Sequence, residues 1–192
     1  MPIIAGRASA AVGAGFSRVV APGYAGPFGA YEALTTVTSP AAATFTFTGI
    51  PSGYKHLQIR GITNNGESSG WNNQQIRFNG DTGSNYAYHV LYGTGSSIAS
   101  SGSSSVSSLN DMFRIPPTGN FGAFIIDILD YSSVTKAKTV RVITGGDTNS
   151  NGWFGLHSGL WHKTPEAINS ITFNSSVGNF GTNSHFALYG VK

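Results

Sequence analysis

The sequence predicts an all-β protein, a jelly-roll-like β-sandwich preceded by an extended N-terminal arm. Short runs rich in Ile, Val, Phe, Tyr and Thr recur at near-regular spacing, and Gly, Asn, Ser and Pro separate them. Charged residues make up only 10% of the chain, whereas an ordinary soluble domain carries roughly 25%. Uncharged polar residues therefore solvate this protein, as is common in loop-rich β folds.

The predicted strands follow one another along most of the chain. One of them, TFTFT at Thr44–Thr48, alternates with the period of two that indicates a half-buried strand. About ten strands in the 31–192 region favour a double sheet of jelly-roll type. In order, they are Tyr31–Val37, Thr44–Thr48, His56–Thr63, Gln75–Phe78, Tyr86–Tyr92, Asp111–Ile115, Phe121–Leu129, Thr139–Thr144, Gly155–Trp161, Ile168–Phe173 and Phe186–Val191.

Two other segments are predicted not to form strands. Thr164–Ser170 has a Thr before Pro165, which suits the first turn of a short helix, so a single helical turn is expected there. The serine-rich stretch Gly93–Ser108 is predicted to be a flexible tip or a linker within the domain.

The first 30 residues differ in composition from the remainder and are predicted to form a separate arm, with the sandwich covering residues 31–192. Arg7, Ser9, Gly13 and Gly15 interrupt the apolar run that a secretory signal requires. The stretch Gly13–Arg18 resembles a dinucleotide-binding loop, but it has Arg at the third glycine position and no strand before it. We expect an anchoring arm that takes its conformation against another subunit, with candidate contacts Ile3, Ile4, Arg7, Phe16 and Arg18.

The overall composition excludes several classes of protein. The chain has 192 residues, which suits one domain, and a net charge of +3 with scattered basic residues, which argues against nucleic-acid binding. Without cysteine it has neither disulfides nor thiolate metal sites, and no apolar run reaches membrane-spanning length. The low content of charged residues has two open explanations. Either the protein is a β protein with polar uncharged loops, or neighbouring subunits cover much of its surface.

Candidate metal ligands are few. DTNSNG at Asp147–Gly152 matches the first half of a calcium loop through Asp147, Asn149 and Asn151. The bidentate Glu that closes such a loop is replaced by Ser158, so a polar turn is the favoured interpretation. No cofactor is expected.

The histidines are predicted to be structural. His157 and His162 are five residues apart in one extended run, so their side chains face opposite ways and cannot share a metal ion. The others, His56, His89 and His185, lie on separate strands. We expect half-buried histidines, each with a hydrogen bond.

An acidic pair in FIIDILDY is also predicted to be structural. Asp127 and Asp130 are three residues apart in a strand-like run, which places their side chains on opposite faces. Two carboxylates on opposite faces cannot share a proton-transfer role. Asp127 has the parity of Ile125 and Leu129, which predicts that it is buried, with Arg141 as its ion-pair partner. No hydrolase or phosphate-binding motif is present, so we expect no enzyme activity.

Two tryptophans in polar loops allow a binding role. Trp71 and Trp153 stand among Asn, Gly and Ser, and with Asn149 and Asn151 they are candidate glycan-binding residues, since sugar rings stack on Trp while amides bind hydroxyls. The alternative is burial of both rings against the sheet or a neighbouring subunit, because Trp is highly buried on average.

Several stretches resemble small structural proteins of tailed bacteriophages, especially of cyanophages and other marine phages. They cover most of the chain from residue 54 onward and include YKHLQIRGI, IRFNGDTGSNYAYHVLYG, FIIDILDYSSVTKAKTVRVITG, GLHSGLWHKTPEAINSITF and HFALYGVK. The short Gly/Ala-rich beginning of that family is similar to IAGRASAAVGAGF here. The resemblance implies a non-enzymatic virion component, either a fibre or a head-decorating protein.

Together these observations predict a subunit on the outside of a phage particle, made in the host cytoplasm and anchored through its arm. The expected partners are copies of itself, as a homotrimer, and the capsid or tail proteins of the phage, with no nucleic acid and no membrane. The alternative is a receptor-binding tail-fibre tip that recognises host surface glycan.

Overall fold

The computed structural model of the protein describes residues 29–38, 40–66 and 70–192. These residues form twelve β-strands, and no helix occurs among them. The part of the chain that the structure describes accordingly contains no helix able to cross a membrane. The strands are β1 Tyr31–Thr38, β2 Thr44–Phe47, β3 His56–Thr63, β4 Asn72–Phe78, β5 Tyr86–Gly93, β6 Ile98–Val106, β7 Arg114–Ile115, β8 Gly122–Leu129, β9 Lys138–Asp147, β10 Gly152–Trp161, β11 Ile171–Ser175 and β12 His185–Val191.

The strands form two antiparallel sheets of unequal size. The larger has eight strands in the order β1-β12-β3-β8-β9-β10-β5-β6, and the smaller has four in the order β2-β11-β4-β7. The centre of the larger sheet, β8-β9-β10, is a meander of sequential strands joined by residues 130–137 and 148–151. The prediction of an all-β chain is confirmed, and the two sheets are consistent with a β-sandwich. The jelly-roll strand order is not confirmed.

One hydrophobic core lies between the two sheets. In β8, the inward side chains Phe124, Ile126 and Ile128 alternate with outward ones, which is the period-two pattern of a strand with one face on the core. The smaller sheet contributes Phe47, Ile76, Phe78, Ile171 and Phe173 to the same cluster. A single contiguous core makes residues 31–191 one folding unit.

Aromatic rings fill the middle of this core. Phe173 is fully buried and stacks on Phe45, with ring centroids 5.1 Å apart and planes 12° from parallel. Phe186 lies 5.6 Å from the Phe173 ring, and Phe113 stacks on Phe124 at 4.1 Å. The contact of Phe173 with Phe186 joins β11 of the smaller sheet to β12 of the larger one, and Phe113, just before β7, reaches β8.

A buried carboxylate holds the connection between β4 and β5. Asp81 accepts hydrogen bonds from the backbone N–H of Gly83 at 2.9 Å, from the Asn85 side-chain amide at 2.9 Å and from the Trp161 indole at 2.8 Å. Burial raises the pKa of Asp81, but these three donors and the nearby Lys163 ammonium together outweigh it, so the pKa lies below its ordinary value. The turn is therefore tied to β10 through Trp161.

Three expectations about secondary structure are wrong. The serine-rich stretch is not a flexible tip, because Ile98–Val106 forms β6 and pairs along its length with β5. Backbone pairing with β5 forms this strand, whose side chains are mostly small, polar and exposed, while Val106 at its end packs against the core. Thr164–Ser170 contains a turn but no helix, and the predicted strand Asp111–Ile115 is reduced to the two residues of β7.

The predicted arm lies almost wholly outside the described residues. Only Gly29 and Ala30 of residues 1–30 belong to the described part, and β1 begins at the predicted domain start, Tyr31.

Candidate functional site

The outer face of the eight-stranded sheet carries a row of aliphatic side chains across four adjacent strands. Ile125 of β8 pairs with Ile143 of β9, which pairs with Leu156 of β10, which pairs with Leu91 of β5. Their side chains are 38–49% exposed. The order of strands in the sheet thus brings residues 91, 125, 143 and 156 into one continuous line. We call these four residues the aliphatic row.

A second apolar line runs parallel to the aliphatic row, two residues further along each strand. It holds Ile62 of β3, Phe154 of β10 and Ile98 of β6, separated in register by Ala123, Gly145 and Gly93. Ile98 is 81% exposed, the highest value among the large apolar side chains of the described residues. Monomeric proteins rarely leave apolar surface of this extent open unless a partner covers it.

A polar row borders the aliphatic row on its other side. In register across the sheet it contains Gln58, Asp127, Arg141, Ser158 and His89. The Gln58 amide donates to Asp127 Oδ1 at 2.8 Å, and Arg141 Nη2 lies 3.5 Å from Asp127 Oδ2. The predicted ion pair between Asp127 and Arg141 is therefore confirmed.

The prediction that Asp127 is buried is wrong. Its side chain is 32% exposed, because the face it shares with Ile125 and Leu129 is the outer one. Both faces of β8 are apolar, so parity alone does not tell which face meets the core. Asp130, expected on the opposite face, lies just beyond β8, where its carboxylate accepts a hydrogen bond from Lys136 at 2.8 Å.

The aliphatic and polar rows line an open groove of about 860 Å³ that crosses β8, β9, β10, β5 and β6. A smaller apolar depression of about 350 Å³ adjoins it and shares Ile125 and Ile143. The groove offers an apolar floor, one carboxylate and one guanidinium. Such a surface binds an apolar segment that carries a few polar or charged groups.

His89 of β5 lines the groove beside β6. Its exposed ring lies over Gly102, where an added Cβ would stand 2.6 Å from the ring. Glycine at this position of β6 therefore lets the ring lie flat against the sheet. This placement differs from the half-buried position that the sequence predicts for His89.

Trp153 is buried behind the sheet. It is 4% exposed, with its ring 6.0 Å from Tyr92 and the guanidinium of Arg114 5.2 Å from its centroid. Asp111 in turn pairs with Arg114 at 3.1 Å. This arrangement favours burial of Trp153 over stacking on a sugar.

The other candidate glycan residues lie in two different places. Trp71 is half-buried with its ring against Gly146 of β9. Asn149 and Asn151 are exposed in the β9–β10 turn. Since Trp153 faces the interior, the four residues do not present one open site with both rings exposed.

The DTNSNG turn uses its polar groups to bond its own backbone. Asp147 Oδ1 accepts from the Asn149 N–H at 2.7 Å, and the Thr148 N–H donates to the Asn151 carbonyl at 3.0 Å. Asn149 has φ of +64°, a left-handed conformation that Asn tolerates. Within the described residues, no group of three His, Asp or Glu side chains is placed to hold a metal ion.

His157 lies next to Trp153 in the interior. It is 4% exposed rather than half-buried. Its ring nitrogens make no hydrogen bond of good geometry, although the Asp111 backbone interacts with the ring. Burial lowers the pKa of His157 to about 4, so the ring is neutral at physiological pH. By contrast, His56 does have a bond, because its Nδ1 accepts from the Asp130 N–H at 3.0 Å.

The candidate anchoring residues Ile3, Ile4, Arg7, Phe16 and Arg18 lie outside the described residues. Sequence reasoning missed the aliphatic row, although a signal was present. Phe124–Ile128 of β8 is apolar at every position except Asp127, which is typical of a strand covered on both faces.

Comparisons of the chain with models of protein families, with curated proteins and with solved structures find no match.

Proposed function

We propose that the protein is a non-enzymatic structural subunit of a phage particle. In this proposal it stands on the particle surface as a decoration or fibre subunit, assembles with copies of itself, and is anchored through residues 1–30. The resemblance of the sequence to phage structural proteins supports the phage setting. The exposed aliphatic row supports the assembly role.

The aliphatic row is the observation that carries the proposal. Large side chains at Leu91, Ile125, Ile143 and Leu156 stand side by side on a surface with few charges. Interface cores have this composition, apolar and depleted of charge. A chain that leaves such a surface open on its own gains stability when another chain covers it.

Deletion of residues 1–20 tests the anchor. All twelve strands of the described residues begin after residue 30, so we expect the truncated chain to fold into the same two sheets. It should no longer be recovered with purified particles, whereas the full chain should be. A full chain with Val177→Lys, a change at an exposed site outside the outer face, serves as the matched control and should be retained.

Recovery of the truncated chain on particles at the level of the full chain would show that the arm is not the anchor. Absence of the full chain itself from particles would contradict the structural role.

A further inference from the structure

The groove on the outer face of the eight-stranded sheet has a definite length. It crosses five strands, and a strand spacing of about 4.8 Å makes it about 19 Å long. An extended peptide of about six residues spans that distance. One wall of the groove carries Asp127, the one carboxylate among its lining residues.

Residues 1–28 have the composition that this groove would accept. The segment contains no acidic residue, and its charged side chains are both arginines, Arg7 and Arg18. Each arginine lies close in sequence to large apolar residues, Ile3 and Ile4 in one case and Phe16 in the other. The apolar side chains suit the aliphatic row, and a guanidinium suits the carboxylate of Asp127, which retains acceptor capacity beyond Gln58 and Arg141.

The position of the start of β1 favours a neighbouring copy as the one that receives the segment. Tyr31 pairs with Val191, and the ladder continues to Ala30, whose carbonyl accepts from the Lys192 N–H at 3.1 Å. Val191 pairs in turn with His56, whereas the groove lies at the level of Gln58 and beyond, towards the other end of the sheet. Ala30 therefore lies outside the groove of its own copy, at the edge of the sheet opposite β5 and β6.

We propose that residues 1–28 of one copy dock in the outer-face groove of a neighbouring copy. The proposal rests on the proposed assembly function and names the surface that receives the arm. Apolar side chains of the arm cover the aliphatic row, and an arginine of the arm pairs with Asp127. The contact is head-to-tail, which closes into a ring when the rotation between copies allows it.

Two defective copies test the proposal by complementation. One copy lacks residues 1–20 and keeps its groove, and the other keeps its arm and carries Leu156→Lys in the groove. We expect the full chain to form oligomers in light scattering and each defective copy to be a monomer. An equimolar mixture should give a heterodimer, since only one arm and one groove remain. Leu156→Lys should weaken association by about tenfold or more.

A charge exchange tests the contact with Asp127. Asp127→Arg should disrupt oligomers, and either Arg7→Glu or Arg18→Glu in the arm of the same chain should restore them. Val177→Lys controls for a surface charge outside the groove and should oligomerise like the full chain. Thermal melts of every variant separate lost association from lost folding.

Four results would overturn the proposal. Oligomers of the copy that lacks residues 1–20 would show that outer faces or strand edges, not the arm, join the copies. A monomeric full chain would show that the arm does not join copies. Failure of the mixture to form a heterodimer would remove the groove as the acceptor. If groove variants reach particles while the truncated chain does not, the anchoring function stands and this inference alone fails.

Discussion

Acidification should destabilise this protein through His157. The imidazole is neutral in the folded state because burial lowers its pKa from 6.5 to about 4, and the nearby Asp111 and Arg114 act in opposite directions on it. Between pH 6.5 and 4 the unfolded chain binds a proton at this site and the folded protein does not. The free energy of unfolding therefore has its full value above about pH 6.5, falls as the pH drops, and levels off below about pH 4. The total loss is about 3 kcal/mol.

Urea unfolding at pH 7.5 and 4.5, followed by tryptophan fluorescence, measures this loss. Contributions from other groups cancel when the wild-type chain is compared with His157→Phe, which keeps an aromatic ring beside Trp153 but cannot titrate. The variant should lose about 2–3 kcal/mol less than the wild type between the two pH values. His157→Leu should behave in the same way. Equal pH dependence in the wild type and both variants would refute the burial argument.

Three further predictions concern stability. Phe173→Ala should cost about 3–5 kcal/mol in urea unfolding, and Phe154→Ala on the outer face less than about 1 kcal/mol, so equal losses would contradict the placement of the core. Asp81→Ala should cost about 1–3 kcal/mol because the buried Trp161 N–H loses its acceptor, and Asp81→Asn should cost less; a neutral alanine variant would exclude this role. Lys138→Met should speed hydrogen exchange in residues 133–136, because the buried Nζ donates to the carbonyls of Ser133 and Lys136; unchanged exchange would count against it.

The sequence predicted the fold class because strand periodicity is a local property. Alternation in TFTFT and in the β9 residues Thr139–Thr144 follows directly from one face meeting a core, and both segments are strands. The serine-rich strand β6 escaped the prediction because most of its side chains are small and polar, and within it only Val106, at its end, packs against the core. Its pairing with β5, the strand that directly precedes it, makes it a strand, and its serine-rich side chains carry no apolar alternation that would signal this.

The candidate site was harder to predict for the same physical reason. The aliphatic row exists because β8, β9, β10 and β5 lie side by side in one register, and register between strands is not encoded in any single run. The Asp127–Arg141 pair was predictable because strands that follow one another in the sequence usually lie side by side in the sheet. Parity could not tell the two apolar faces of β8 apart, so the burial of Asp127 was assigned to the wrong side of the sheet.

Photo-crosslinking from the groove tests the central claim most directly. The ¹⁵N-labelled full chain carries benzoylphenylalanine at position 156 and is mixed with unlabelled wild-type chain, which has no photo-reactive residue. On illumination, this side chain crosslinks to whatever lies on the aliphatic row. The account predicts crosslinked peptides that join labelled residue 156 to unlabelled residues 1–28. Crosslinks confined to labelled peptides of the same chain, or to an outer face instead of residues 1–28, would contradict it.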